Sequence, residues 1–279
     1  MTRAKLPALL LATIPFALLA QPRPPFQPPV SPNPTAMYKQ ACEGGSTFGC
    51  NNLGNSYLTG SGGLPKDPAR AAALYKLACA GGNAVGCNNL GVRYRNGDAG
   101  LPKDLVQAVA LFKQACDGRS SAGCNNLGTH YINGDGGLPR DLPQAVALFK
   151  RSCDGGSAAG CNNLGLHYFN GDGGLPKNLA RAVALYKEAC DGEEPAGCNN
   201  LGNRYLNGDG VRKDLTRAVA LYKQACNGGD PAGCSNLGIR YFNGEGGLPQ
   251  DLARAAALFK QACDGGSTDG CDNLERLRK

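Results

Sequence analysis

Fourteen cysteines at a fixed spacing constrain the fold of this chain more than any other feature. They form seven pairs, and the members of each pair are eight residues apart. First members recur every 37 residues, except for one step of 36 residues from Cys190 to Cys226. The pairs are Cys42/Cys50, Cys79/Cys87, Cys116/Cys124, Cys153/Cys161, Cys190/Cys198, Cys226/Cys234 and Cys263/Cys271. This period predicts a repeat protein in which each unit packs only on its neighbours.

The cysteines indicate disulfide bonds, with a metal site as the alternative. Zinc ligands usually occur as C-x(2–4)-C pairs, often with histidine, whereas seven residues separate each pair here and the chain has two histidines. We therefore expect no metal and no cofactor. Disulfides persist in oxidising compartments, and an even number of cysteines behind an export signal predicts a disulfide framework.

Residues 1–20 have the pattern of such a signal peptide. Arg3 and Lys5 precede an apolar stretch, residues 6–19, that is too short to span a bilayer. The bulky Leu18 near the expected cleavage site leaves a retained anchor as the alternative. The interpretation is a secreted or periplasmic protein with no membrane span after cleavage of the signal.

The rest of the chain divides into two parts. Residues 21–34 are rich in proline and predict an extended linker. Residues 35–279 carry about six full repeats and a half-repeat at each end. Lysines and arginines are spread through the repeats, so the net charge of +7 does not indicate a nucleic-acid-binding face. We expect a monomer that binds a protein or peptide.

Each repeat reads as two amphipathic helices. In the third full repeat, Ser120 is a favoured N-cap for a helix that runs to about Asn133, and Asp141 is the N-cap of a second helix that ends before Gly155. Apolar residues recur at helical spacing on both helices. The two stripes are Cys124, Leu127, Gly128, Tyr131 and Ile132, followed by Ala145, Leu148, Phe149, Ser152 and Cys153.

This pattern places each cysteine pair across a tight turn, between the last turn of one helix and the first turn of the next. Extended from Ala36 to Arg278, it predicts fourteen helices. The fold class is therefore all-α, a solenoid of αα-hairpins with one disulfide per repeat. Glu275 stands where the earlier repeats have glycine, which predicts a charged capping face on the last helix.

The motif Cys-Asn-Asn-Leu-Gly-x-x-Tyr-x-Asn-Gly at residues 124–134, followed by Asp-Leu-x-x-Ala-Val-Ala-Leu-Phe-Lys at residues 141–150, resembles the Sel1-like repeat, a relative of the tetratricopeptide repeats. The cysteine spacing is similar to that of a cysteine-rich branch typified by the Helicobacter cysteine-rich proteins. The resemblance covers residues 36–279. It implies a right-handed superhelix that acts as an adaptor or scaffold.

The resemblance also implies that the first helix of each pair lines a concave groove for a peptide. The expected groove residues are Asn88, Asn125, Asn162 and Asn199 in one column and Ile132, Phe169, Leu206 and Phe242 in another. The asparagines would bond to an extended peptide backbone, and the apolar column would hold its side chains. The alternative is that the asparagines satisfy the buried ends of neighbouring loops.

Some cysteine-rich relatives are described as penicillin-binding proteins with weak β-lactamase activity, so that activity is the alternative function. The chain contains no Ser-x-x-Lys, Lys-Thr-Gly or Gly-x-Ser-x-Gly motif. Cysteines held in disulfides cannot act as nucleophiles. We therefore predict no catalytic residue. A structural envelope protein without defined partners is a third alternative.

The two histidines share one register in adjacent repeats. His130 and His167 stand where other repeats carry Arg93, Arg204 and Arg240. This register predicts a solvated, mildly basic ridge. A metal site or a site for an acidic ligand is the alternative.

Overall fold

The structure of the protein is a computed structural model that describes residues 33–278. The predicted signal peptide and residues 21–32 of the predicted linker lie outside the described residues, as does Lys279. Residues 33–278 contain no strand and fourteen α-helices, as predicted. The helices are α1 (Pro34–Glu43), α2 (Thr47–Thr59), α3 (Pro68–Ala80), α4 (Ala84–Asn96), α5 (Leu105–Asp117), α6 (Ser121–Asn133), α7 (Leu142–Asp154), α8 (Ala158–Asn170), α9 (Leu179–Asp191), α10 (Pro195–Asn207), α11 (Leu215–Asn227), α12 (Pro231–Asn243), α13 (Leu252–Asp264) and α14 (Thr268–Arg278).

Local chemistry sets the ends of these helices. The side chain of Ser120 accepts a hydrogen bond from the backbone N–H of Gly123, which caps α6, and that of Asp141 caps α7 in the same way through Gln144. The prediction that α1 begins at Ala36 is wrong. The helix begins at Pro34, because the side chain of Asn33 accepts from the N–H of Thr35 and proline is favoured at the first helical position.

The helices stack in a regular, curved array. Consecutive helices pack against each other from α1 to α14. Successive even-numbered helices also contact each other, whereas within residues 33–278 successive odd-numbered helices do not. The even-numbered helices are therefore closer together, and they line the inner, concave side of the solenoid.

Within each repeat, a glycine of the even-numbered helix packs on an aromatic ring of the odd-numbered helix that follows. A Cβ atom added to Gly128 would lie 2.8 Å from Cε1 of Phe149, which is closer than non-bonded carbons approach. Gly91 faces Phe112 and Gly202 faces Tyr222 in the same way. These glycines are required because the rings, which are almost fully buried, occupy the space of a side chain.

Between repeats, a disulfide joins each odd-numbered helix to the next even-numbered helix. The seven bonds are Cys42–Cys50, Cys79–Cys87, Cys116–Cys124, Cys153–Cys161, Cys190–Cys198, Cys226–Cys234 and Cys263–Cys271. Their Cα atoms are 4.4 to 4.6 Å apart. A second glycine makes this approach feasible, since a Cβ on Gly123 would lie 2.6 Å from Cβ of Ala115. One disulfide per repeat was predicted and is confirmed.

We predict that Gly128→Ala lowers the free energy of unfolding by about 1–3 kcal/mol, because the new methyl group overpacks against Phe149. Denaturant titration followed by circular dichroism measures the change. Gly44→Ala is the matched control: its φ is −78° and its Cβ would make only ordinary contacts at 3.4 Å. Equal stability of the two variants would show that the contact between Gly128 and Phe149 has room for a methyl group.

Removal of one disulfide by the double substitution Cys153→Ser/Cys161→Ser is expected to cost about 2–3 kcal/mol, the loop-closure entropy of a short cross-linked loop. The measurement is the midpoint of urea unfolding under oxidising conditions. Wild-type protein with all its disulfides reduced should lose far more stability than this variant. A midpoint equal to that of the wild type would contradict the prediction.

Candidate functional site

The concave face is a repeating surface, because each even-numbered helix contributes the same positions to it. Directly after the second cysteine of each of the first five pairs comes an asparagine doublet, such as Asn125 and Asn126 on α6, and α12 has Ser235 and Asn236 in these positions. The predicted groove column uses the first residue of each doublet. The structure gives a role to both.

The doublets form a continuous ladder of side-chain hydrogen bonds across the repeats. The second asparagine of one helix donates from Nδ2 to Oδ1 of the first asparagine of the preceding even-numbered helix. The bonds run from Asn89 to Asn51 (2.9 Å), and from Asn126 to Asn88, Asn163 to Asn125, Asn200 to Asn162 and Asn236 to Asn199 (2.8 Å each). We call this chain of bonds the asparagine ladder.

Each rung of the asparagine ladder leaves polar atoms without a partner. Within residues 33–278, the Nδ2 groups of Asn88, Asn125, Asn162 and Asn199 donate no hydrogen bond. None of these nitrogens is both buried and unpaired, so solvent reaches them. The three rungs that join α6, α8, α10 and α12 therefore present free N–H donors on the first asparagine, next to an unused amide oxygen on the second. The first two rungs differ, because Asn51 donates to Asn52 and the oxygen of Asn126 accepts from Arg95.

The alternative prediction, that these asparagines bond to the ends of neighbouring loops, is wrong. Their oxygens accept from the next even-numbered helix, so the structural bond runs between repeats and not to a loop. The sequence analysis did not predict a role for the second asparagine of each doublet. The signal was the doublet itself, since an asparagine that recurs every 37 residues beside another needs a partner at the same period.

The apolar column lies along the same helices and is partly used by the core. Ile132, Phe169 and Leu206 are half-buried and pack against the cores of adjoining repeats. The guanidinium of Arg204 also lies over the ring of Phe169, 3.8 Å from its centroid. Phe242 differs, because 42% of its surface is exposed.

The predicted solvated ridge at the histidine register is wrong. His130 and His167 are only 3% and 6% exposed, and each stacks on a phenylalanine of the preceding odd-numbered helix. Nδ1 of His130 is hydrogen-bonded to Asp135, and Nδ1 of His167 to Asp172 at 2.5 Å. The register points inward because it follows the buried Leu-Gly pair by two residues.

Arginines in the same register make the equivalent contact. Arg93 pairs with Asp98 and Arg204 with Asp209 at 3.0 Å, and Arg240 pairs with Glu245 at 2.5 Å. All three arginine side chains are largely buried. These pairs tie each even-numbered helix to the loop that follows it, and we infer a structural role for the register.

A tyrosine from the odd-numbered helix supports the groove wall near its C-terminal end. The hydroxyl of Tyr222 donates to Oδ1 of Asn203 at 2.7 Å. Burial raises the pKa of Tyr222 to about 12, although Arg240 and Arg204 act in the opposite direction. The phenol therefore stays protonated at neutral pH, and it holds Asn203 with its amide N–H groups free to face solvent.

Two further properties of residues 33–278 concern metal binding and membrane insertion. The one cluster of three possible metal ligands in residues 33–278 is Cys153, Cys161 and Glu188, and both of its cysteines are in a disulfide. Among the helices of the same residues, none combines the length and the apolar character needed to cross a membrane.

A stapled αα solenoid with a polar inner face is a repeat scaffold. Six consecutive segments match the Sel1 repeat, at residues 47–83, 84–120, 121–157, 158–193, 195–230 and 231–267. These segments cover well over half of the chain, and the chain belongs to the Sel1 repeat family. A comparison with curated proteins found no match.

Two solved structures show the same fold. The chain is similar to c5321, a protective antigen of uropathogenic Escherichia coli strains that displays an SLR fold, with a TM-score of 0.64 and 28% identity over 87% of this chain and 51% of c5321. It thus spans about half the length of that protein. It is also similar to a Sel1 repeat protein from Oxalobacter formigenes, with a TM-score of 0.69 and 21% identity over 82% of this chain and 96% of that one. Helicobacter pylori cysteine rich protein B shares 30% identity over 48% of this chain and 94% of that protein, with a TM-score of 0.39.

The family and the fold are consistent with a scaffold for protein–protein interaction. Solenoids of this kind present extended concave surfaces and typically bind other proteins. The seven disulfides indicate an oxidising, exported compartment.

We expect His130→Arg to be tolerated, because arginine makes the same helix-to-loop contact in three other repeats. His130→Leu should lose about 1–3 kcal/mol, since the substitution leaves the carboxylate of Asp135 without its partner. Thermal unfolding of the two variants beside the wild type makes the comparison. The structural interpretation fails if both variants unfold at the wild-type temperature.

Proposed function

We propose that the chain is an exported scaffold that binds an extended peptide segment of a partner protein along its concave face. The observation that carries the proposal is the pair of unused polar atoms on each of the three rungs that join α6, α8, α10 and α12. Asn125 keeps its N–H donors, and Asn163, which bonds to it, keeps its oxygen. A donor beside an acceptor is what the N–H and C=O groups of an extended backbone require.

The period of the solenoid supports this mode of binding. Packed helices lie about 8–10 Å apart, and an extended chain rises about 3.3 Å per residue. One rung therefore corresponds to about three residues of peptide. Recognition of a backbone at this interval gives affinity with little dependence on sequence, and side-chain positions between the rungs supply the selectivity.

The apolar column supports selectivity at one end more than at the other. Ile132 and Phe169 are half-buried and offer flat apolar surface beside the ladder. Phe242 is more exposed and lines a cavity. We infer that small side chains of the peptide lie over the middle repeats and that a larger one lies near α12.

The predicted location fits this role. An extended peptide groove held by disulfides works outside the reducing cytoplasm, and we propose secretion or export to the periplasm, with the chain as a monomer. The leader and linker on which this depends are a prediction from residues 1–34.

A matched pair of substitutions tests the proposal. Asn125→Asp keeps the oxygen that accepts from Asn163 but replaces the N–H donors with a carboxylate oxygen. Asn163→Asp adds the same charge but removes the donor that forms the rung. We expect Asn125→Asp to weaken peptide binding about tenfold with unchanged stability, and Asn163→Asp to lower stability by about 1 kcal/mol.

The probe is a decapeptide selected on the oxidised full chain from a randomised display library, then labelled and measured by fluorescence anisotropy. The same peptide with alternate amides N-methylated serves as the control, because methylation removes backbone donors without changing the side chains. Wild-type affinity in Asn125→Asp, or equal binding of the methylated peptide, would rule out backbone recognition by the ladder.

A further inference from the structure

Two columns of the concave face change their chemistry together in the last helix. The first asparagine of the doublet becomes Asp272 in α14 after five asparagines and one serine. Three residues earlier, at a position that is apolar in all six earlier even-numbered helices, α14 has Asp269. Both carboxylates are exposed. The groove, neutral along its middle, is therefore acidic at this end.

The two aspartates line a cavity of about 480 Å³ between α10, α12 and α14. The wall also includes Asn199, Asn203, Ser235 and Arg276. Neither aspartate forms an ion pair with Arg276 within residues 33–278, and the two carboxylates outnumber the single guanidinium.

An amide donor without a partner lies in the wall of the acidic cavity. Asn199 is only 8% exposed. Its oxygen accepts from Asn236, but its Nδ2 has no hydrogen-bond partner in the described part of the chain. Solvent reaches this nitrogen, so it is free to donate to a ligand carbonyl placed in the cavity. The amide of Asn199 and the carboxylates thus suit a backbone carbonyl and a positive charge.

A second, apolar cavity adjoins the first. It has a volume of about 300 Å³ and is lined by Ile239, Phe242, Phe259 and Leu277, and it shares Ile239 and Arg276 with the acidic cavity. Phe242 is the exposed member of the apolar column. A ligand that fills both cavities has a cationic group and an apolar group on neighbouring residues.

Helix electrostatics explains only part of this arrangement. Asp269 lies in the first turn of α14, where a negative charge favours the helix macrodipole. Asp272 lies beyond that turn, and the unpaired amide of Asn199 is on another helix. The macrodipole accounts for neither.

We propose that the C-terminal end of the groove, formed by α10, α12 and α14, is a subsite for a lysine or arginine that is adjacent to an apolar residue in an extended peptide. The inference rests on the proposed function. The cationic side chain lies between Asp269 and Asp272, the peptide carbonyl accepts from Asn199, and the apolar side chain enters the cavity beside Phe242. This end would fix the direction in which the peptide lies along the ladder.

The test uses the oxidised full chain and three display libraries of randomised decapeptides with a fixed central Lys-Phe, Gln-Phe or Glu-Phe pair. We expect the Lys-Phe library to be enriched most. In anisotropy measurements, the selected peptide should bind about five- to tenfold more tightly than its Lys→Gln analogue, and higher salt should reduce the difference. Asp269→Asn/Asp272→Asn should abolish that preference and leave affinity for the Gln analogue unchanged.

Asp117→Asn/Asp154→Asn is the matched control, since it removes two exposed carboxylates at the ends of α5 and α7 and should keep the preference. Equal enrichment of all three libraries, or a lysine preference that survives Asp269→Asn/Asp272→Asn, would contradict the proposed cationic subsite but not the proposed peptide groove. No enrichment from any library would overturn the groove itself. The two failures are therefore distinguishable.

Discussion

The disulfide between each odd-numbered helix and the next even-numbered helix is the constraint on which the rest of the solenoid depends. These helices meet at a thin interface, where a glycine such as Gly123 lies against a small residue such as Ala115. Apolar clusters continue across these boundaries, as from Phe149 on α7 to Leu164 on α8, and the disulfide adds to the stabilisation that this burial gives. A covalent bond that closes a short loop supplies about 2–3 kcal/mol at each boundary.

The same bond sets the register of the concave face. The asparagine doublet directly follows the second cysteine, as Asn125 and Asn126 follow Cys124. Fixing the cysteine therefore fixes the rotation and depth of each even-numbered helix where the doublet begins. Rungs of 2.8 to 2.9 Å recur from α2 to α12 because the two asparagines of every rung lie one and two residues after a bonded cysteine.

The two sides of an even-numbered helix differ in function: one packs against the rest of the solenoid and the other forms the groove. One side carries the glycine that receives an aromatic ring and the buried histidine or arginine that holds the following loop. The other carries the ladder and the groove. The division allows the inner surface to vary in charge, as Asn199, Ser235 and Asp272 do along one column, without a change in the packing behind it.

The sequence by itself determined the repeat, the all-α solenoid and the pairing of cysteines, because these follow from short-range periodicity and from chemistry within one turn. Helix ends such as Ser120 and Asp141 were likewise predictable, since a cap bonds to its own helix. Only the tertiary structure decided where residues from different repeats meet. It turned His130 inward onto Asp135 and Phe112 and bonded Asn163 to Asn125. Those contacts depend on the curvature and rotation of stacked helices, which no single repeat encodes on its own.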